Sequence, residues 1–215
     1  MKQVFVLLMI MFVAQTNEPP QVKITTPAAG SIYTWNTPLR YSVSVSDKED
    51  GDTKYNEIEP KQILLEARVV TDTTNVVASE RSAIHAMMAS NCMQCHEFNG
   101  KLIGPSFVEI SSRYSGDQGS ESELVKRVRE GSRGKWGDVV MPTHPELSDA
   151  ETRKMVQWIL SYTNPDELIY LTGTEGVLNF KKPTNAAATD MLVLTASYAD
   201  KENARGEFKM YLGVK

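Results

Sequence analysis

The stretch "SNCMQCHEFNGKLIGPSF", Ser90 to Phe107, holds the only two cysteines of the 215-residue chain, Cys92 and Cys95, with His96 directly behind them. Four readings compete: a disulfide, a metal clip, a redox dithiol, or the attachment point of a haem. A structural zinc site needs four ligands, and the sequence has no second CxxC and no HxxxH. A thioredoxin-type dithiol belongs in a βαβ setting, which the pattern after His96 does not supply. Two cysteines in an exported chain would ordinarily suggest a disulfide. Here they are three residues apart in a stretch that reads as helix.

CxxCH favours the fourth reading, one covalently bound haem c. Both thiols then form thioethers to haem vinyl groups, and the histidine ligates iron. Residues three apart on a helix share one face, so both cysteines can reach one edge of the macrocycle and the next residue projects over its centre. The second axial ligand is expected downstream, where "GKWGDVVMPTHPELS" offers Met141 and His144. A methionine is more often core filler than a ligand, and the chain has ten. Met87, Met88 and Met93 lie too close to the cysteines, and Met155 falls on an amphipathic face. Met141 sits in a loop bounded by glycine and proline, so it is the expected ligand. His144 is the runner-up, with a surface loop histidine as its bland reading. His85 is expected on the same helix as His96 and reads as a core or surface histidine.

The periodicity of the chain changes twice. Over residues 18–76 it is two. "PLRYSVSVSD" alternates Leu39, Tyr41, Val43 and Val45 with polar residues, as a half-buried strand does. "QVKITTP" is a shorter strand, and "KQILLEARVV" a third, despite its good helix formers. Over residues 79–164 the period is helical. "SESELVKRVREGS" has the capping-box spacing at Ser120 and Glu123 and stops at Gly131. "SDAETRKMVQWILSYTNP" repeats it at Ser148 and Glu151, with Met155, Trp158, Ile159 and Tyr162 on one face and Pro165 beyond its end. Over residues 166–215 the period returns to two, with "MLVLTASYAD", "GEFKMYLG" and the weaker "GVLNF" as strands. Each flank has few strands for a core of its own. The expected architecture is therefore α+β and multidomain, with the two flanks pairing into one antiparallel β-sandwich and the helical unit inserted. Two small β units on either side of the helices are the alternative.

The helical part, from about Ile84 to Tyr162, resembles a small bacterial class I cytochrome c. The resemblance rests on CxxCH near the end of a first helix, Gly104-Pro105 after it, Met141-Pro142 in a loop, and a last helix bearing Trp158. "GSRGKWGDVVMPTHPELS" is similar to the methionine loop of one subgroup. The resemblance implies an all-α fold and an electron carrier rather than an enzyme. Cys92 and Cys95 would carry the thioethers, with His96 as proximal and Met141 as distal iron ligand. The Pro105 carbonyl would accept the other ring N–H of His96. Trp136 would lie near the haem edge, its indole able to reach a propionate. Phe107, Ile110, Val128 and Trp158 would pack the macrocycle or the helix crossing. The flanks are similar to Ig-like or PKD-like sandwiches, which accompany such haem domains in some exported bacterial sugar dehydrogenases using pyrroloquinoline quinone. That similarity implies a quinone-cofactor dehydrogenase as a redox partner.

A net charge of −4 without a basic run gives no nucleic-acid footprint. Lys2 followed by the apolar Val4–Ala14 is too short to span a bilayer. It reads as a signal peptide over residues 1–17, so the protein is expected to be exported to the periplasm or beyond and not membrane-spanning. "DKEDGD" gathers Asp47, Glu49, Asp50 and Asp52 around a glycine. It reads as a solvated turn, with calcium as the sharper alternative. Two other functions compete with electron transfer: a haem catalyst or gas sensor with a labile sixth ligand, and a β-sandwich module for binding or homo-oligomeric assembly.

Overall fold

The computed structural model describes residues 16–71, 81–163, 166–184, 186–187 and 189–215. Most of the expected signal peptide, and Pro165, lie outside them. Five strands precede the helices: β1 (Gln21–Thr26), β2 (Ile32–Tyr33), β3 (Leu39–Asp47), β4 (Gly51–Asp52) and β5 (Leu64–Val70). The helices are α1 (Ser82–Ala89), α2 (Phe107–Tyr114), α3 (Ser120–Glu130) and α4 (Asp149–Ser161). Four strands follow: β6 (Leu168–Thr172), β7 (Glu175–Leu178), β8 (Met191–Ala199) and β9 (Arg205–Val214).

Strands from both flanks meet in both sheets. The smaller sheet runs β1-β3-β4, with β7 also paired to β3; the larger runs β2-β9-β8-β5-β6. In β3 the alternation buries Tyr41, Val43 and Val45 and turns the intervening serines outward. Those side chains and Ile24 of β1 share one core with Leu65, Ala67, Leu192, Leu194, Ala196 and Leu212 of the larger sheet.

The larger sheet is covered on its other face as well. Along β5 the residues Leu64 to Arg68 include Leu64, Leu65, Glu66 and Ala67, all buried. A strand buried on both faces loses the alternation of a half-exposed one. Leu65 and Ala67 face the sandwich core, whereas Leu64, with Leu168 and Tyr170 of β6, belongs to a second core with Ile84, Met87, Phe98, Phe107, Met155 and Ile159. The molecule therefore has three layers: small sheet, large sheet, helices. Helix α4 touches each of the other three helices.

The helical unit lies between two strands that are neighbours. β5 and β6 pair antiparallel, with Arg68 opposite Leu168. The whole haem-sized segment thus occupies the place of a hairpin loop.

Three local expectations are corrected. The cysteines do not lie on α1, which ends at Ala89; Cys92–Gln94 form a separate 3-10 turn entered through Asn91 at φ 59°. His85 therefore does not share a helix with His96. Ser120 and Glu123 do not form a capping box: Gly119 is the N-cap. The Ser120 hydroxyl is bound to the Tyr114 and Asp117 carbonyls, and Glu123 pairs with Arg127. The capping box at Ser148 and Glu151 is present, and a second one joins Ser106 to Glu109 at the start of α2.

Candidate haem site

A cavity of about 330 Å³ opens between the 3-10 turn, α2, α3, α4 and the loop before α4. Cys92, Cys95, His96, Gly104, Pro105, Phe107, Ile110, Val128, Trp136, Met141, His144, Met155 and Ile159 are all part of its lining. Side chains separated by up to some seventy residues in sequence meet here.

The proximal wall follows from local geometry. In a 3-10 helix residues three apart eclipse one another, so the turn serves Cys92 and Cys95 at least as well as an α-helix would. The His96 N–H closes on the Cys92 carbonyl at 3.0 Å. The backbone N–H groups of Ile103 and Gly104 both bind the Cys95 carbonyl, at 3.2 and 2.8 Å, bringing Pro105 back over the histidine. His96 Nδ1 lies 2.6 Å from the Pro105 carbonyl oxygen. A carbonyl only accepts, so Nδ1 carries the proton and Nε2 keeps its lone pair. Phe107 stacks on the His96 ring at 5.7 Å, and Gly104 passes close against that ring: a Cβ there would stand 2.5 Å from His96 Cε1.

The opposite loop is pinned to the end of α3. Met141 and Ser132 exchange two backbone hydrogen bonds, of 2.9 and 3.2 Å, and the His144 N–H binds the Val128 carbonyl at 3.1 Å. Gly131, at φ 81°, permits the chain to leave α3 here; a Cβ on it would meet the Met141 carbonyl. The guanidinium of Arg113 sits over the Trp136 ring at 4.5 Å and donates to the Lys135 carbonyl, holding Trp136 at the cavity's mouth.

Trp158 does not line the cavity. It stacks on Tyr162 at 5.1 Å and contacts Phe98, Phe107 and Tyr170 edge-on, as part of the cement between helices and sheet. Met155 is buried, yet it reaches the cavity too. Tyr170 and Phe98 carried no sequence signal for the site, because their role depends on β6 lying beneath the helices. His85 is buried against Ser197 of β8, with Nε2 3.1 Å from the hydroxyl.

Both thiols are free. Burial pushes the Cys92 thiol up to about 11, so it stays protonated at neutral pH and lacks the thiolate character of a redox dithiol. Burial also holds His96 below its ordinary value, against the bond to Pro105, and a charge on nearby His144 acts in the same direction. The chemistry of this donor set fits haem c: two thiols, a neutral imidazole and a thioether on an apolar cavity. Among the described residues no group of three or more His, Cys, Asp or Glu side chains could hold a metal ion by itself. The acidic turn is instead engaged within the fold. Asp47 Oδ1 accepts from the Glu49 and Asp50 N–H groups, and Asp50 binds Tyr198, Lys201 and its backbone.

Residues 83–163 match the family model described as cytochrome c. Cytochrome c-551 of Azotobacter vinelandii is 37% identical over 71 residues, 33% of this chain and 85% of that protein. The chain belongs to the cytochrome c family. Cytochrome c-552 of Hydrogenobacter thermophilus is 36% identical over 70% of its length, and cytochrome c2 of Rubrivivax gelatinosus 40% identical over 86%; each matches 33% of this chain. The relatives thus cover the helical unit, a class I c-type cytochrome domain, and the family carries covalently attached haem c. One such domain means one haem. Homologous cytochromes c are electron carriers, and no described helix is long and apolar enough to cross a membrane.

Proposed function

We propose that this cytochrome c relays single electrons between exported redox proteins, with His96 and Met141 as its axial ligands. The observation that carries the reading is the convergence of Cys92, Cys95, His96 and Met141 on one apolar cavity. Haem iron supplies one-electron exchange without bond making. Cys92 and Cys95 tether the group, and His96 is locked in the tautomer that leaves Nε2 free by its bond to Pro105. The Met141 thioether raises the reduction potential relative to a second nitrogen ligand. His96 and Met141 would together hold the iron from the protein and leave no position for a substrate, which favours a carrier over a catalyst. Trp136 guards the mouth, where its indole can reach a propionate.

Electron exchange takes place through that mouth. Ile103, Val139 and Val140 are more than half exposed around it, and Arg133 and Lys135 stand among them. An apolar patch with cationic neighbours suits a partner whose docking face is acidic, which charge complementarity steers into place. A quinone-cofactor dehydrogenase as donor extends the flanks' resemblance to Ig-like or PKD-like sandwiches; the shared core of the two sheets supports treating residues 18–76 and 166–215 as one such unit with the cytochrome inserted.

The test is a spectrum of the purified protein, ferric and ferrous, with a pyridine haemochrome. Sharp ferrous bands, one haem per chain and a weak methionine-to-iron band at the red end of the ferric spectrum are expected. Met141→Ala removes that last band; an unchanged band would sink the ligand assignment.

A further inference from the structure

We propose that His144 is a reserve axial ligand, which takes the iron through Nε2 when the Met141 sulfur is withdrawn. The inference rests on the haem reading of the cavity and goes beyond it. Met141 and His144 stand three residues apart on one segment whose two ends are both tied to the last turn of α3 and its exit, at Ser132 and Val128. Both side chains line the cavity that also receives His96. The His144 side chain is only 16% exposed, so it is not the solvated loop histidine its sequence position suggests.

Its hydrogen bonding prepares it for a metal. His144 Nδ1 lies 2.9 Å from a Glu146 carboxylate oxygen. An ionised carboxylate only accepts, so the proton sits on Nδ1 and Nε2 carries a lone pair. A carboxylate behind the far nitrogen is the arrangement that orients metal-bound histidines and raises their basicity. In this tautomer neutral His144 has no ring N–H left to support the methionine sulfur, so a hydrogen-bonding role toward the resident ligand is closed to it. Pro142 between the two residues and Pro145 directly after His144 limit how far the segment can wander.

The exchange is a substitution without electron transfer. The Nε2 lone pair would form the new bond, the sulfur lone pair would be released, and the proton would stay on Nδ1, hydrogen-bonded to Glu146. Replacing a thioether by an imidazole lowers the reduction potential. The same loop thus holds two settings of one carrier, a high-potential one through Met141 and a low-potential one through His144.

The experiment uses the haem-loaded full chain with Met141→Ala alone and with Met141→Ala combined with His144→Gln. Ferric absorption and electron paramagnetic resonance read the spin state, and the pyridine haemochrome reads haem content separately. The single variant is expected to stay low-spin with a lowered potential, and the double variant to lose that low-spin signal for a high-spin one. A single variant that is already high-spin, or a double variant that remains low-spin, overturns the inference while leaving the haem reading intact. Absence of haem from the native chain overturns both. Should Met141→Ala fail to load haem, His144→Gln in the otherwise native chain serves instead. As guanidinium displaces the methionine, the native protein should pass to a nitrogen-ligated low-spin form and the variant to a high-spin one. Identical behaviour of the two chains overturns the proposal.

Discussion

Arg81 Nε lies 2.8 Å from a Glu66 carboxylate oxygen, with the two side chains only 7% and 4% exposed. Arg81 immediately precedes α1, and Glu66 projects from the middle of β5 toward the helices. A second guanidinium nitrogen reaches Glu207 of β9 at 2.6 Å, and Arg68 adds a bond to Glu66 at 3.1 Å. The start of the helix that leads to the cysteines is thereby bolted to the large sheet.

Removing one partner of a buried pair strands the other, at a typical cost of 3–5 kcal/mol. Glu66→Gln should therefore destabilise the protein by about 3 kcal/mol, the lower end because Glu207 still faces Arg81. Urea unfolding measures this. Combining Glu66→Gln with Arg81→Met should recover part of the loss, since no charge then remains buried alone.

His85 gives the same interface a pH dependence. Burial, chiefly, with Arg205 and Arg81 behind it and Glu207 opposing, pushes the imidazole down to about 4 from 6.5. Between those values the unfolded chain binds a proton that the folded chain refuses, so stability rises with pH there. The contribution is complete above about pH 6.5 and is lost as pH falls toward 4, amounting to about 3 kcal/mol over the window. His85→Gln should flatten the unfolding midpoint across that range; a midpoint that falls as steeply in the variant would refute the assignment.

Gly104 is required by His96 rather than by its own backbone. An added Cβ would stand 2.5 Å from Cε1 and 2.9 Å from Nδ1 of the ring. Gly104→Ala should turn the imidazole away from the Pro105 carbonyl and cost about 1–3 kcal/mol through overpacking. In the haem-loaded protein the ferric spectrum should change with it. A variant with native spectrum and stability would show that the ring has slack which the packing denies.

The Ser148–Glu151 and Ser120–Glu123 pairs, alike in spacing, should separate cleanly. Ser148→Ala removes a side chain that accepts the Glu151 N–H and receives the Glu151 carboxylate in return. A loss of about 1 kcal/mol is expected. Glu123→Gln, by contrast, should not weaken the start of α3, because its carboxylate caps nothing there and turns instead to Arg127. Thermal unfolding of the three proteins distinguishes the cases.

That contrast marks what could be read in the chain. The cytochrome c family was legible because it rests on residue type and order: CxxCH, then Gly-Pro, then Met-Pro leave little freedom. The alternating strand β3 was legible because one of its faces meets water. Strand β5 was harder, since Leu64 and Glu66 are buried against helices and the period of two disappears. β6 went unread, being only five residues with Leu168 and Tyr170 buried beneath the helical unit. The left-handed Asn91, which ends the approach of α1 and starts the cysteine turn, left no mark on the hydrophobic period at all. Ser120 shows the converse: a correct spacing whose hydroxyl found two carbonyls nearby and served them instead.

Because Arg68 and Leu168 are partners on adjacent strands, some hundred residues leave and re-enter the sheet one strand-spacing apart. A gene edited to join β5 to β6 through a tight turn would preserve every ladder of both sheets. It would also uncover Leu64, Leu168, Tyr170 and the carboxylate of Glu66 in a single stroke. A haem-free version of this protein is thus within reach of a short deletion, but the new outer surface would have to be rewritten in polar residues before the product stayed in solution.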